Sequence, residues 1–171
     1  MSDFCHCLSL DRIRDGDRID MVADDKERAE LADRLGLLSL DRLEAHAILA
    51  RDGPAVRATG RLKASLDQAC IASGEPVPAH IDEPFDLRFA PEPKASPDEE
   101  IELGEADLDT IFHDGSTIDL GGAITDTLAL ALDPYPRSAG ADAALKEAGV
   151  ITEEEASPFA ALAALKEKLG K

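Results

Sequence analysis

The chain has 171 residues with 18 Lys+Arg against 36 Asp+Glu, a formal net charge of −18. That length points to one domain with a core of moderate size. That charge opposes non-specific attachment to nucleic acid or to an anionic membrane. No apolar run reaches the roughly 18–20 residues a membrane helix needs. The first 20 residues carry Asp3, Asp11, Asp15, Asp17 and Asp20 and no apolar stretch, so no secretory signal is expected. Three cysteines are too few for a disulfide framework, and the expected compartment is the cytoplasm.

In chain order, a short strand is predicted near Cys7 to Leu10, a turn at Asp15-Gly16-Asp17, and a second strand at Ile19 to Ala23. Asp24 then opens a helix to Leu35. Asp24 is an N-cap residue, Glu27 completes a capping box, and Gly36 is placed to end the helix in the left-handed region. Ala29, Leu31, Ala32 and Leu35 form its narrow apolar face.

Leu40 to Ala50 alternates, with Leu43, Ala45, Ala47 and Leu49 on one side and Arg42, Glu44 and His46 on the other. Period two is the mark of a half-buried strand. Asp52-Gly53 signals a hairpin, and Pro54 suggests a loop longer than two residues. Ala55 to Cys70 alternates again, turning Val56, Ala58, Leu62, Ala64, Leu66 and Cys70 inward. After a turn at Ser73-Gly74, Val77 to Phe89 turns Val77, Ala79, Ile81, Phe85, Leu87 and Phe89 inward, with Glu83 as the exception. Three hairpin-linked strands with one apolar face predict an antiparallel sheet.

From Pro91 to Asp114, nine acids face only Lys94, and three prolines interrupt the first part. This composition predicts a mobile acidic loop, because it offers too little apolar surface to offset ordering entropy. The second half of the chain carries the charge excess: net −12 for residues 91–171 against −6 for 1–90.

Leu120, Ile124, Leu128 and Leu132 then recur at helical spacing, with Ala123, Thr127 and Ala131 beside them. They predict a helix over 120–132 that Pro134 and Pro136 forbid from continuing. A linker over 138–157 contains a weak helix near Ala141 to Ala148. Ser157 and Pro158 start a last helix, whose Phe159, Leu162, Leu165 and Leu169 need a partner surface. The fold expected is α+β: an antiparallel sheet covered by helices 24–35 and 120–132. Residues 1–137 are expected as one domain, with a linker at 138–157 and a C-terminal helix at 158–171.

Arg57, Arg61 and Lys63 lie at even separations on one strand and project from the same face. At roughly 3.3 Å per residue, Arg57 and Arg61 stand about 13 Å apart, a span that can follow a phosphate backbone. The plainer alternative is an ordinary solvated strand surface. Three phosphate contacts give a salt slope of only about −2.7, far from a strong nucleic-acid binder. No RNP, KH or zinc-knuckle pattern adds base stacking.

Cys5-His6-Cys7 is a candidate metal seed with Cys70 and His46, but C-x-C with distant residues matches zinc spacings poorly. Cys70 falls on the apolar face, where an inert buried thiol is the ordinary outcome. No bound metal or other cofactor is expected. His46, His80 and His113 read as surface residues. No nucleophile elbow, P-loop, dinucleotide fingerprint or H-E-x-x-H motif is present, so no enzymatic activity is expected.

Three pieces together carry a resemblance. They are Gly115-Ser116-Thr117-Ile118-Asp119-Leu120 with the close LALALDPYPR, the turn Cys70 to Val77 followed by the Phe85, Leu87, Phe89 strand, and the terminal PFAALAALK. They resemble the YceD family of large ribosomal RNA subunit accumulation proteins, over roughly Leu10 to Arg137 and the last dozen residues. Many members carry C-x-x-C at the turn, whereas Ser73 stands here, so a metal or redox role for that pair lacks its second thiol. The resemblance implies a bacterial, non-enzymatic ribosome-biogenesis factor. Its expected partners are large-subunit rRNA, through Arg57, Arg61 and Lys63, and/or a basic ribosomal protein, through the acidic loop. The alternatives are an acidic protein-binding module without RNA contact and, behind it, a small metal-binding or redox protein.

Overall fold

Alternation of apolar and polar residues dictates the longest elements. In the computed structural model, which describes residues 4–92 and 110–150, they are three strands: β3 (Ser39–Asp52), β4 (Ala55–Ala69) and β5 (Pro76–Pro91). Before them come β1 (Cys7–Ser9), β2 (Arg18–Val22) and α1 (Asp25–Leu35). After them come β6 (Thr110–His113), β7 (Thr117–Asp119), α2 (Leu120–Ala131) and α3 (Ala141–Glu147). The described residues divide into two compact units, one drawn from Met1–Gln68 and Pro78–Asp133, the other from Ala69–Val77 and Pro134–Lys171.

The protein is α+β, and the sheet is mixed. Its order is β2-β3-β4-β5-β6, while β1 and β7 form a separate two-stranded antiparallel sheet. β2 pairs antiparallel with β3, with Ile19 opposite Ala47, and β3 with β4, with Ala45 opposite Leu62. β6 corrects the purely antiparallel expectation: it runs parallel to β5, with Phe89 opposite Ile111. It also occupies residues 110–113 of the stretch expected as a loop; the rest of that loop, 93–109, and the helix expected from 158 lie outside the described residues. The hairpin after β3 is tighter than Pro54 suggests. Asp52 pairs with Ala55, so Gly53 and Pro54 are the whole loop. Gly53 has φ 59°, the first central position of a II′ turn, and Pro54 takes the second, where a negative φ is required.

Parity holds along β4, β5 and β3 from Leu43 onward; a register shift between Leu40 and Arg42 lets Leu40 be buried as well. Leu43, Ala45, Ala47, Leu49, Val56, Ala58, Leu62, Ala64, Leu66, Phe85 and Phe89 are buried in one cluster. The same cluster takes Leu31 of α1 and Leu120, Ala123, Ile124 and Leu128 of α2. Each fully buried Leu, Ile or Phe contributes on the order of 1.5–3 kcal/mol. Gly60 falls on the inward side of β4, where a Cβ would overlap the His46 carbonyl and press the Phe85 ring. A glycine there lets the backbone and the aromatic ring close together.

The helix punctuation is as the residue types demand. Asp24 accepts from the Glu27 N–H, and Glu27 accepts in turn from the Asp24 N–H, both at 2.8 Å. Gly36 closes α1 at φ 66°. Ala29, expected on the apolar face, is exposed. Asp119 caps α2 by accepting from the Gly122 N–H at 3.0 Å. In the second unit, a turn joins β4 to β5 and α3 occupies the expected weak-helix segment.

Candidate functional site

The outer face of the sheet holds the predicted basic stripe. Arg57, Arg61 and Lys63 of β4 alternate with buried Val56, Ala58, Leu62 and Ala64, so their side chains must leave the core on one side. Their side chains are 63, 53 and 48% exposed. They are not bare cations. Arg57 grips Asp86 through two hydrogen bonds, its Nε donating to Oδ1 at 2.7 Å and its Nη2 to Oδ2. Arg61 donates to Asp82 at 2.6 Å, and Lys63 lies 3.9 Å from the same carboxylate. The Arg61 hydrogen bond, and after it the Arg61 and Lys63 charges, hold the Asp82 carboxyl below its usual value. The Arg57 hydrogen bond does the same for Asp86.

Asp82 and Asp86 were legible as outward residues, since His80, Asp82, Asp86 and Arg88 share the parity of β5 opposite to Phe85 and Phe89. Their pairing with particular bases depends on β4–β5 register. The face continues onto β3 and β2. Lys63 stands opposite Glu44, which accepts from Arg42 at 2.6 Å, and His46 stands opposite Arg61 and pairs with Asp20 at 2.6 Å. The result is a broad face of mixed charge.

Of the three histidines expected at the surface, His46 and His80 are exposed, His80 beside the Ser65 hydroxyl at 3.1 Å. His113 is buried, its Nδ1 accepting from the Gly115 N–H at 3.0 Å. It lies on β6, a strand hidden in the acidic run, so charge alone mislabels it.

The cysteine constellation is rearranged relative to expectation. His46 is engaged on the sheet face, and Cys70 belongs to the second unit. Cys5 and Cys7 are joined as a disulfide, a pairing that three cysteines in the sequence did not announce. Asp119, absent from the predicted set, joins them: the two sulfurs and a carboxylate oxygen of Asp119 all lie within 4.8 Å of one another.

Within the second unit, Cys70 is buried as parity requires, yet it is not electronically ordinary. The Ser138 N–H donates to Cys70 Sγ at 3.3 Å. The Ser138 hydroxyl donates to Glu75 at 2.8 Å, and the Ser73 hydroxyl lies 3.1 Å from the same carboxylate oxygen. The Ser138 side chain first, then its N–H, then Ser73, draw the thiol down to about 6 from 9.0. The turn is held by Cys70 N–H to Glu75 C=O and Gly74 N–H to Cys70 C=O, both 2.8 Å.

Among the described residues, no helix is long and apolar enough to cross a membrane. A family model described as "Large ribosomal RNA subunit accumulation protein YceD" matches residues 58–166, which include Arg61 and Lys63, the Cys70 turn and α2; Arg57 lies one residue before the match. No curated protein and no solved structure matches the chain.

Proposed function

Because the chain belongs to the YceD family of large ribosomal RNA subunit accumulation proteins, we propose that it is a non-enzymatic ribosome-biogenesis factor of the bacterial cytoplasm. In this reading it supports accumulation of large-subunit rRNA, and the outer sheet face is its contact surface. Leu31 of α1 and Leu120, Ala123, Ile124 and Leu128 of α2 share the core cluster with the inward residues of the sheet, so in this reading the polar face is the one that meets a partner.

The observation that supports the contact surface is the exposure of Arg57, Arg61 and Lys63 in a row, held by carboxylates that are themselves half exposed. Exposed ion pairs contribute only about 0–1 kcal/mol each, so a phosphate can displace Asp82 or Asp86 at small cost. The Arg57 fork, which already binds a carboxylate in two places, suits a phosphate equally well. The pairs keep the face closed to casual polyanions, and only RNA presented in register repays their exchange.

A second reading draws on the same pairs and on the net charge of −18: the bases are already neutralised, and the partner is a basic ribosomal protein. Binding of large-subunit rRNA fragments at two salt concentrations separates the two. We expect Arg57→Ala/Arg61→Ala/Lys63→Ala to weaken binding and flatten the salt slope by about 2–3 units, and Asp82→Asn/Asp86→Asn to tighten it. Equal affinity for the native chain and both variants removes RNA from this face and leaves the protein-binding reading.

A further inference from the structure

The disulfide end of the first unit carries an assignment that the ribosomal reading does not use. Cys7 and Asp119 are directly opposite in the β1–β7 ladder. Side chains of opposed residues leave an antiparallel pair on the same side, about 4.5–5.5 Å apart at Cβ. Cys5 precedes Cys7 by two residues, the strand period, and its sulfur meets that of Cys7. Donors 112 residues apart in the sequence are thereby brought to one point by backbone geometry.

The segment is also anchored. The Leu120 N–H donates to the His6 carbonyl at 3.2 Å, and the Phe4 carbonyl sits where a Cβ on Gly121 would fall. The cluster therefore rests on the first turn of α2, where the helix dipole favours negative charge and the Gly122 N–H already donates to Asp119. Two thiolates and a carboxylate are what such a position stabilises.

We propose that the reduced Cys5–Cys7 pair, with Asp119, is a binding site for one thiophilic divalent cation of the zinc class. Reduction by two equivalents of a low-molecular-weight thiol delivers two electrons and two protons to the Cys5–Cys7 bond and leaves the external disulfide. The cation then displaces the two thiol protons and takes the carboxylate as third ligand. Sulfur bonds of about 2.3 Å and an oxygen bond of about 2.0–2.2 Å space tetrahedral ligands roughly 3.5–3.8 Å apart. The three donors, all within 4.8 Å of one another, are near this spacing, and both cysteines are exposed. Thiolate donors select zinc, cadmium or copper(I) over magnesium and calcium. Three protein ligands leave the fourth position to water, so the site is an open one. Oxidation consumes both thiolates and closes it.

The test uses the full chain, reduced with a phosphine under anaerobic conditions and titrated with cadmium ion alone. One equivalent should bind, with a thiolate-to-cadmium charge-transfer band in the near ultraviolet. Cys70→Ser should retain that band, and Cys5→Ser/Cys7→Ser should lose it. The diamide-oxidised chain should take up no cadmium. Asp119→Asn keeps the α2 cap, since asparagine caps as well as aspartate, and should weaken binding by about tenfold or more. No stoichiometric uptake by the reduced chain, full uptake by Cys5→Ser/Cys7→Ser, or unchanged affinity in Asp119→Asn would each overturn the assignment.

Discussion

Arg57 and Arg61 illustrate how a residue can be conspicuous and yet contribute little to stability. Their partners Asp86 and Asp82 are half exposed, so water screens each pair and little stability comes from it. Replacing either arginine by alanine should shift a urea midpoint barely, while the RNA affinity moves. A large loss of stability in Arg61→Ala would mean that the face is structural. Cys70 makes the opposite case. Its thiol is drawn down to about 6, against an ordinary value of 9.0, by Ser138 and then Ser73. The folded chain therefore binds fewer protons than the unfolded chain between those values. Stability should rise with pH from about 6 to about 9 and be lost as pH falls toward 6. Denaturation midpoints at pH 6 and 8.5 check this. The rise should be smaller in Ser138→Ala and absent in Cys70→Ser.

At the scale of elements, α1 and the first turn of α2 give the sharpest expectations. Asp24→Ala removes the acceptor for the Glu27 N–H and should cost about 1 kcal/mol by thermal or chemical denaturation. Gly121→Ala would force a methyl into the Phe4 carbonyl. Because that carbonyl is backbone, the segment before β1 must move, and the variant should lose about 1–3 kcal/mol. Hydrogen exchange should show faster opening at Leu120, whose N–H binds the His6 carbonyl. If Gly121→Ala leaves exchange there unchanged, the N-terminal segment is not held by α2.

For the whole molecule the charge distribution decides what can approach. The excess of acids lies in residues 91–171, at net −12. A basic partner should associate with a rate that falls steeply between low and physiological salt. If the acidic stretch competes with RNA for the sheet face, deleting residues 92–106 should tighten binding of large-subunit rRNA fragments. Unchanged affinity in that deletion would retire the competition. The family match over 58–166 spans most of β4, all of β5 and α2, and the cysteine pair at positions 5 and 7 lies outside it.

The sequence by itself determined the features that depend on neighbours along the chain. Alternation placed most inward residues of β3, β4 and β5, though not Leu40, which is buried beyond a register shift, nor Gly60 and Gln68; the capping box and Gly36 marked both ends of α1. The proline pair bounded α2. Each rests on backbone geometry within a few residues, where the side-chain period and the unpaired N–H groups leave little choice. Only the tertiary structure decided what meets across the chain. It set Asp82 and Asp86 against the basic stripe, joined a four-residue parallel strand from an acidic run to β5, buried His113, and brought Asp119 to Cys5 and Cys7. Those outcomes depend on register and on which strand edges pair. A local pattern carries no record of either, because period-two alternation reads the same whichever partner strand lies alongside.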